Sequence, residues 1–472
     1  MNLTARMLRR KSVEQLQREA LTRGELRRVL GLWHLTAIGL GGIIGVGIFV
    51  LTGTVAAGTA GPAVVLSFVL AGIASAAAAL CYAEFAGLIP VSGSAYTYGY
   101  AVLGEFAGWL IGWDLLLEFA LIAAVVAVGW SGYVQALLDA AGVALPVWAQ
   151  GGWFGGKAGQ VVNVPAVFVS LAITALLAFK TEWGARFNTV VVAIKIGAAV
   201  LIIVAGVAYV DPARWQPFMP FGVHGVVAGA SIVFFAVFGY EMMTTAAEEA
   251  IDPQRDLPRA VVLSLAIAMT LYIGICLVLT GIVSYTTLGN DAPVANAFAA
   301  IGMPKVMVAI SLASICGITS VIFANLLAGA RIWFALSRDG LLPGWFGKAH
   351  PRWRTPWRTT WLVGAVAAVA AGLFSLEELA KLVNIGVLCA FVVICSAVLV
   401  LRYRSPELPR PFRTPWSPLV PLIGIGFSLW LISGLPYLTF ERFAIWLLIG
   451  CAVYFGYGIR HSKLARDPAE PA

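Results

Sequence analysis

The sequence predicts an all-α polytopic membrane protein of twelve transmembrane helices. Three observations predict it. The 472-residue chain is 60% hydrophobic and only 11% charged, whereas a soluble domain carries about 25% charged residues to cover its surface. Its apolar runs repeatedly reach the roughly 20 residues that a bilayer core demands. Its arginines and lysines gather in alternate connections, as the positive-inside bias requires.

The spans run near 33–57, 62–89, 104–138, 163–180, 184–209, 226–250, 259–284, 303–337, 358–375, 379–401, 418–436 and 441–459. Gly and Pro clusters separate them, among them Gly61-Pro62, Pro90, Pro146, Asp211-Pro212, Pro343, Pro406 to Pro411 and Pro436. Residues 1–30 form a basic tail (Arg6, Arg9, Arg10, Lys11, Arg18, Arg23, Arg27, Arg28) without the apolar core or cleavage site of a signal peptide. The tail reads as a cytoplasmic topology signal rather than a nucleic-acid-binding segment. Basic residues recur after span 8 (Arg338, Lys348, Arg352, Arg354, Arg358), after span 10 (Arg402, Arg404, Arg410, Arg413) and in the C-terminal tail 460–472 (Arg460, Lys463, Arg466). The opposite loops hold little beyond Lys157 and Arg214. Both termini are therefore expected in the cytoplasm of a multi-pass cell (inner) membrane protein. All six cysteines fall inside apolar spans, where they act as small hydrophobes, with no disulfide or zinc spacing.

Two spans are interrupted by glycine. Span 1 carries Gly41-Gly42-Ile43-Ile44-Gly45-Val46-Gly47-Ile48-Phe49, and span 6 carries Phe234-Phe235-Ala236-Val237-Phe238-Gly239-Tyr240-Glu241. Paired interruptions in corresponding positions point to a transporter binding site. They are spans 1 and 6, five apart, so 31–401 divides into repeats at about 31–210 and 222–401, and an odd number of spans per repeat makes them inverted. Helices 11 and 12, within 402–459, lie outside the repeat. Gly45 and Gly47 flank Val46 and permit an unwound backbone with close ligand approach. The amides opening the second half-helix suit a carboxylate, and the carbonyls closing the first suit an ammonium, together matching an amino acid zwitterion. The alternative is close helix packing through the Gly41/Gly45 pair. Phe235 and Phe238, with Ala236 between them, either close over a ligand or make ordinary core contacts. No nucleotide-binding glycine motif is present, so an ion gradient or exchange is expected to drive transport. HExxH and GxSxG motifs are likewise absent, which leaves an enzyme little support.

Lys195 lies in the middle of span 5, where insertion scales charge about 2.5–3.5 kcal/mol for a lysine. A lysine whose charged form is disfavoured there can load and release a proton in each cycle, or its ammonium can stand where other carriers hold sodium. The alternative is a lysine fixed permanently by a carboxylate or carbonyl. Span 3 places Asp114 and Glu118 on one helix face, and Glu118, the deeper, is the candidate partner of Lys195. Glu84 in span 2 and Glu241 after the span 6 break are further intramembrane carboxylates, Glu241 a candidate inner gate. Asn325 in span 8 is a neutral polar group at pocket depth or a plain interhelical hydrogen-bonder. The mixed-charge stretch from Glu248 to Arg259 reads as a cytoplasmic loop able to pair with Arg331 or Arg338.

Four stretches together resemble the amino acid–polyamine–organocation (APC) superfamily, and within it the bacterial relatives of cationic amino acid transporters. They are Gly42 to Gly53, Tyr82 to Tyr98, Phe238 to Pro258 and Arg331 to Pro343. The resemblance implies a 5+5 inverted-repeat (LeuT-type) core with alternating access. It implies that amides near Val46 and Gly47 bind a carboxylate, that carbonyls near Ile43, Phe235 and Phe238 bind the amino group, and that Phe235 caps the site. It also gives Lys195 the sodium-site role of proton-coupled members. Asp252 replaces the family's usual asparagine. The expectation is a proton-coupled importer of a small-molecule L-amino acid, neutral and alanine-like because the breaks are apolar, using a proton gradient and no cofactor. A sodium-independent exchanger, a carrier of cationic amino acids or polyamines, and an amino acid-binding sensor or partner subunit are the alternatives.

Overall fold

Helix starts follow the chain's prolines and short polar side chains. Pro253, Pro293 and Pro304 each open a helix, where the missing N–H costs nothing and φ is preset. Asp252 accepts from the Arg255 amide at 3.3 Å and Asn163 from the Ala166 amide at 3.2 Å, each satisfying an orphan donor. Aspartate at 252 thus does the capping that asparagine would do. The computed structural model describes residues 6–10, 30–89, 94–179, 185–348, 350 and 355–463. Most of the basic tail, residues 90–93, Arg352, Arg354, Arg466 and the side chains of Glu248 and Glu249 lie outside that description.

The α-helices of eight or more residues are α1 (Leu32–Ile43), α2 (Val64–Leu88), α3 (Ser94–Val102), α4 (Glu105–Ala140), α5 (Val164–Phe179), α6 (Ala185–Gly206) and α7 (Gly222–Val233). They continue as α8 (Pro253–Ile282), α9 (Pro293–Ala300), α10 (Pro304–Arg338), α11 (Trp357–Leu373), α12 (Leu376–Arg404), α13 (Leu419–Ser433) and α14 (Tyr437–Val453). Among the described residues β-structure is confined to isolated bridges. Eight helical stretches are long and apolar enough to cross a membrane, and α1, α5, α11 and α13 are shorter apolar helices. Length and composition therefore support eight crossings, with shorter helices at the other expected positions. The shortfall has local causes: α1 is cut at the span 1 break, α11 ends where Phe374 turns extended, and Pro418 and Gly434 bracket α13.

The short helices α3 and α9 are additions that the sequence reading did not contain. Each precedes and packs on a long helix, α3 on α4 and α9 on α10. Packing elsewhere is equally regular. The extensive contacts include α4 with α10, α2 with α8, and α5 with α11. Helix α1 lies against α8 and α6, and α7 against α2 and α12. Helix α4 also meets α12 and α5, while α10 meets α6 and α11. Aliphatic side chains such as Val190, Val204, Ile445 and Leu448 point outward, as expected of a surface facing lipid.

Candidate functional site

The first break begins where α1 ends. Ile44 is extended (φ −77°, ψ 102°), and helix resumes at Gly47 as a π-turn over Gly47–Leu51. The second break follows α7. A 3-10 turn, Phe234–Ala236, leads through Val237 and Phe238 to Gly239 at φ +110°, and a 3-10 helix continues over Tyr240–Glu249. Only glycine adopts that φ without strain.

The two breaks touch backbone to backbone. A Cβ on Gly239 would fall 2.6 Å from the Gly42 carbonyl carbon, and one on Gly47 would fall 2.6 Å from Ala236 Cα. A Cβ on Gly45 would meet only the Val321 side chain, at 3.3 Å. Gly42, Gly47 and Gly239 are therefore needed for close packing of one break on the other, and Gly45 is the glycine with room beside it. The two readings of span 1, packing and ligand approach, apply to different glycines.

Buried side chains from neighbouring helices hold the carbonyls that the breaks release. Lys195 Nζ donates to the Gly41 carbonyl at 3.0 Å, and the Lys195 stem lies against Gly317 of α10. The Tyr272 hydroxyl of α8 donates to Ile43 O at 2.7 Å, and Tyr133 of α4 donates to Phe49 O at 2.7 Å. At the second break Ser75 of α2 donates to Val237 O. Asn384 Nδ2 of α12 donates to Ser231 O at 2.7 Å and to Ile232 O at 3.2 Å. Polar backbone at membrane depth requires this satisfaction. The amides of Gly45, Val46 and Gly47 open the second half-helix, the end of positive partial charge.

Lys195 thus meets a carbonyl, where the sequence reading offered Glu118 as its partner. Glu118 Oε2 is buried without a hydrogen-bond partner, and the charged groups acting on Glu118 are the carboxyls of Asp114 and Glu241. Glu241 Oε2 accepts from the Gly239 amide at 2.9 Å, so this carboxylate caps its own break. Asn325 Nδ2 donates to Val321 O of the same helix at 2.8 Å, and its Oδ1 is buried and unpartnered. Phe235 and Phe238 meet edge to face, ring centroids 5.5 Å apart. A cavity of about 190 Å³ opens beyond the span 1 break, lined by Val50, Thr54, Gly129, Gly132, Asn163 and Asp291 among others. It reaches Gly129, which packs directly on Val46.

The sequence profile of the amino acid permease family matches residues 30–457. The chain belongs to this family, within the APC superfamily. It is 47% identical to the methylthioribose transporter of Bacillus subtilis (strain 168), over 97% of the chain and 99% of the relative. It is 45% identical to the branched-chain amino acid permease BcaP of the same organism, again over 97% and 99%. Human cationic amino acid transporter 4 is 30% identical over 93% of the chain and 88% of the relative.

In this permease the residues singled out from the sequence fall into two groups, apart from Asn325, which bonds Val321 of its own helix. Ile43, Gly45, Val46, Gly47, Phe235, Ala236, Phe238 and Lys195 converge on the paired breaks. Glu118 and Glu241 share a carboxylate neighbourhood with Asp114. The sequence reading missed Tyr272, Ser75, Tyr133 and Asn384, because a hydroxyl or amide in an apolar helix carries no mark of which backbone atom it will meet. It also left Glu84 undecided. Glu84 accepts from Arg402 Nε at 3.1 Å and from Arg402 Nη2 at 2.6 Å. It also pairs with Arg410 Nε at 3.2 Å and accepts from the Thr414 amide at 2.8 Å. Glu84 therefore anchors the end of α12 and the chain beyond it to α2.

Proposed function

We propose that this permease imports a neutral, apolar L-amino acid together with a proton across the cell membrane by alternating access, on a twelve-span, 5+5 inverted-repeat core with both termini cytoplasmic. The carrying observation is the pair of breaks in backbone contact, with Lys195 on a carbonyl of the first. Amides at Val46 and Gly47 receive the carboxylate, carbonyls of the two breaks receive the ammonium, and Phe235 and Phe238 cover the ligand. Loss of the Lys195 proton weakens a charge-assisted hold on Gly41 and couples the first break to the gradient.

The packing pattern supports the repeat. Replacing each of spans 1–5 by the span five later turns α1 on α8 into α7 on α2, α1 on α6 into α7 on α12, and α4 on α12 into α10 on α6. The carbonyl clamps obey the same exchange. Lys195 from span 5 and Tyr272 from span 7 hold the first break, while Asn384 from span 10 and Ser75 from span 2 hold the second. The short helices α3 and α9 also occupy equivalent connections.

Two relatives named branched-chain amino acid permeases support an apolar substrate, and relatives named cationic amino acid transporters keep a basic amino acid as the alternative. Labelled leucine and alanine uptake into proteoliposomes, with and without an inward proton gradient, tests the proposal. Gradient-driven accumulation above equilibrium is the expected result. Uptake that ignores the gradient and requires internal amino acid makes the protein an exchanger and refutes symport. The methylthioribose transporter relative supports a second reading, a neutral thioether sugar. That ligand lacks a zwitterionic head, so it should compete with leucine only if the apolar half of the pocket dominates recognition.

A further inference from the structure

Arginines crowd one rim of the bundle, at the end of α12 and the chain that follows. Arg402, Arg404, Arg410 and Arg413 come from this segment, and Arg10 of the N-terminal stretch joins them close to Arg404. Residues 6–10 are laid against the start of α4, where the Arg9 carbonyl accepts from the Glu105 amide at 2.8 Å. Two carboxylates belong to this segment or pair with it. Glu84 is consumed by Arg402 and by Arg410, whose side chain is 3% exposed. Glu407 is the sole acid in 402–418 and is exposed. Arg10, Arg404 and Arg413 are exposed and are left with excess positive charge. Partial desolvation, and then repulsion from Arg404, lowers the Arg10 guanidinium from the usual arginine value. Like charges gathered this way call for an anion.

The same rim carries exposed aromatic side chains of the kind that anchor to lipid headgroups. Trp416 is 80% exposed and Tyr403 78% exposed, with Leu419 and Leu422 exposed just beyond. Trp416 adopts φ +46°, a left-handed conformation rare for a bulky residue. Observed strain of this kind marks positions that serve a function.

We infer that Arg10, Arg404 and Arg413, with Trp416 and Tyr403, form a site for the phosphodiester headgroup of an anionic phospholipid at this rim. The guanidiniums meet the phosphate and the rings lie along the upper acyl chains. The site is independent of the transported substrate. It adjoins the Glu84 anchor, so a bound lipid braces the end of α12.

The test is titration of fluorescent phosphatidylglycerol into the purified full-length protein in phosphatidylcholine nanodiscs. The wild type binds saturably, and Arg404→Gln/Arg413→Gln weakens binding by at least about tenfold, since each arginine near the surface contributes roughly a fivefold factor. Both side chains are exposed, and a retained thermal shift with substrate verifies folding. Arg214→Gln/Lys305→Gln removes two exposed cations elsewhere and leaves binding unchanged. An equal loss in that control variant would mean diffuse surface charge and overturn the site. Displacement by inorganic phosphate at equal concentration would mean a free-anion site and overturn the lipid assignment.

Discussion

Replacing the break glycines one at a time by alanine separates close packing from ligand approach. In Gly239→Ala the new Cβ sits at φ +110° and 2.6 Å from the Gly42 carbonyl carbon, 2.7 Å from its oxygen. A non-glycine residue held in such a region costs about 1–3 kcal/mol, and forcing a methyl into a filled contact costs about 1–3 kcal/mol more. The obstacle is backbone, which cannot rotate away. Gly47→Ala carries only the second cost, because its Cβ overlaps Ala236 Cα at 2.6 Å without a positive φ. Gly45→Ala meets the Val321 side chain at 3.3 Å, which yields by a few tenths of an ångström. Thermal unfolding of detergent-purified variants should rank Gly239→Ala below Gly47→Ala, and Gly47→Ala below Gly45→Ala, the last close to wild type. Substrate-induced thermal shift supplies the other axis, and Gly45→Ala should fold and yet lose it. Adding Ala236→Gly to Gly47→Ala should recover part of the stability, because it removes one of two overlapping atoms. A Gly239→Ala protein as stable as wild type would refute the contact between the breaks. A Gly45→Ala protein that binds substrate normally would remove ligand approach from Gly45.

Lys195→Met should abolish gradient-driven accumulation in proteoliposomes while substrate binding survives; unchanged accumulation would refute coupling at this lysine. Tyr272→Phe removes the hydroxyl on Ile43 O and should cost about 1 kcal/mol of stability, and an apparent melting point identical to wild type would show that the bond is not formed. Glu84→Gln leaves Arg402 and the enclosed Arg410 without their counter-charge and should cost about 3–5 kcal/mol; a thermally neutral variant would show that the anchor is dispensable.

The sequence announced the breaks and the depth of Lys195, because glycine in an apolar run and a charge at mid-span are each expensive and visible. What each group touches was not visible. Gly47 and Gly45 look alike in sequence, yet one faces Ala236 and the other Val321. Glu118 and Lys195 invite pairing on charge alone, but a lysine beside a broken helix has released carbonyls as rivals, and Gly41 O takes it. Glu84 looked like a lone intramembrane acid because its partners Arg402 and Arg410 lie more than three hundred residues away in the chain. Helices α3 and α9 escaped notice because nine and eight residues are too few for periodicity to stand out from loop.

The clamps on the two breaks differ in one chemical respect that bears on mechanism. The carbonyls of the second break are held by Asn384 and Ser75, neither of which changes charge. Those of the first are held by Tyr272 and by Lys195, which can. If the proposed repeat relation holds, Lys195 and Asn384 occupy equivalent roles, so a proton gradient acts on one half only. On the proposed coupling, deprotonation would weaken the clamp on α1 and leave the clamp on α7 intact, which would make α1 the element that moves first. Exchange of the two chemistries tests this directly. Lys195→Asn puts an uncharged amide at this position, too short to reach Gly41 O as Lys195 Nζ does, and should keep substrate exchange while losing accumulation against a gradient. Retained accumulation would place the proton elsewhere, with Glu118, buried and lacking a partner for Oε2, the next group to replace.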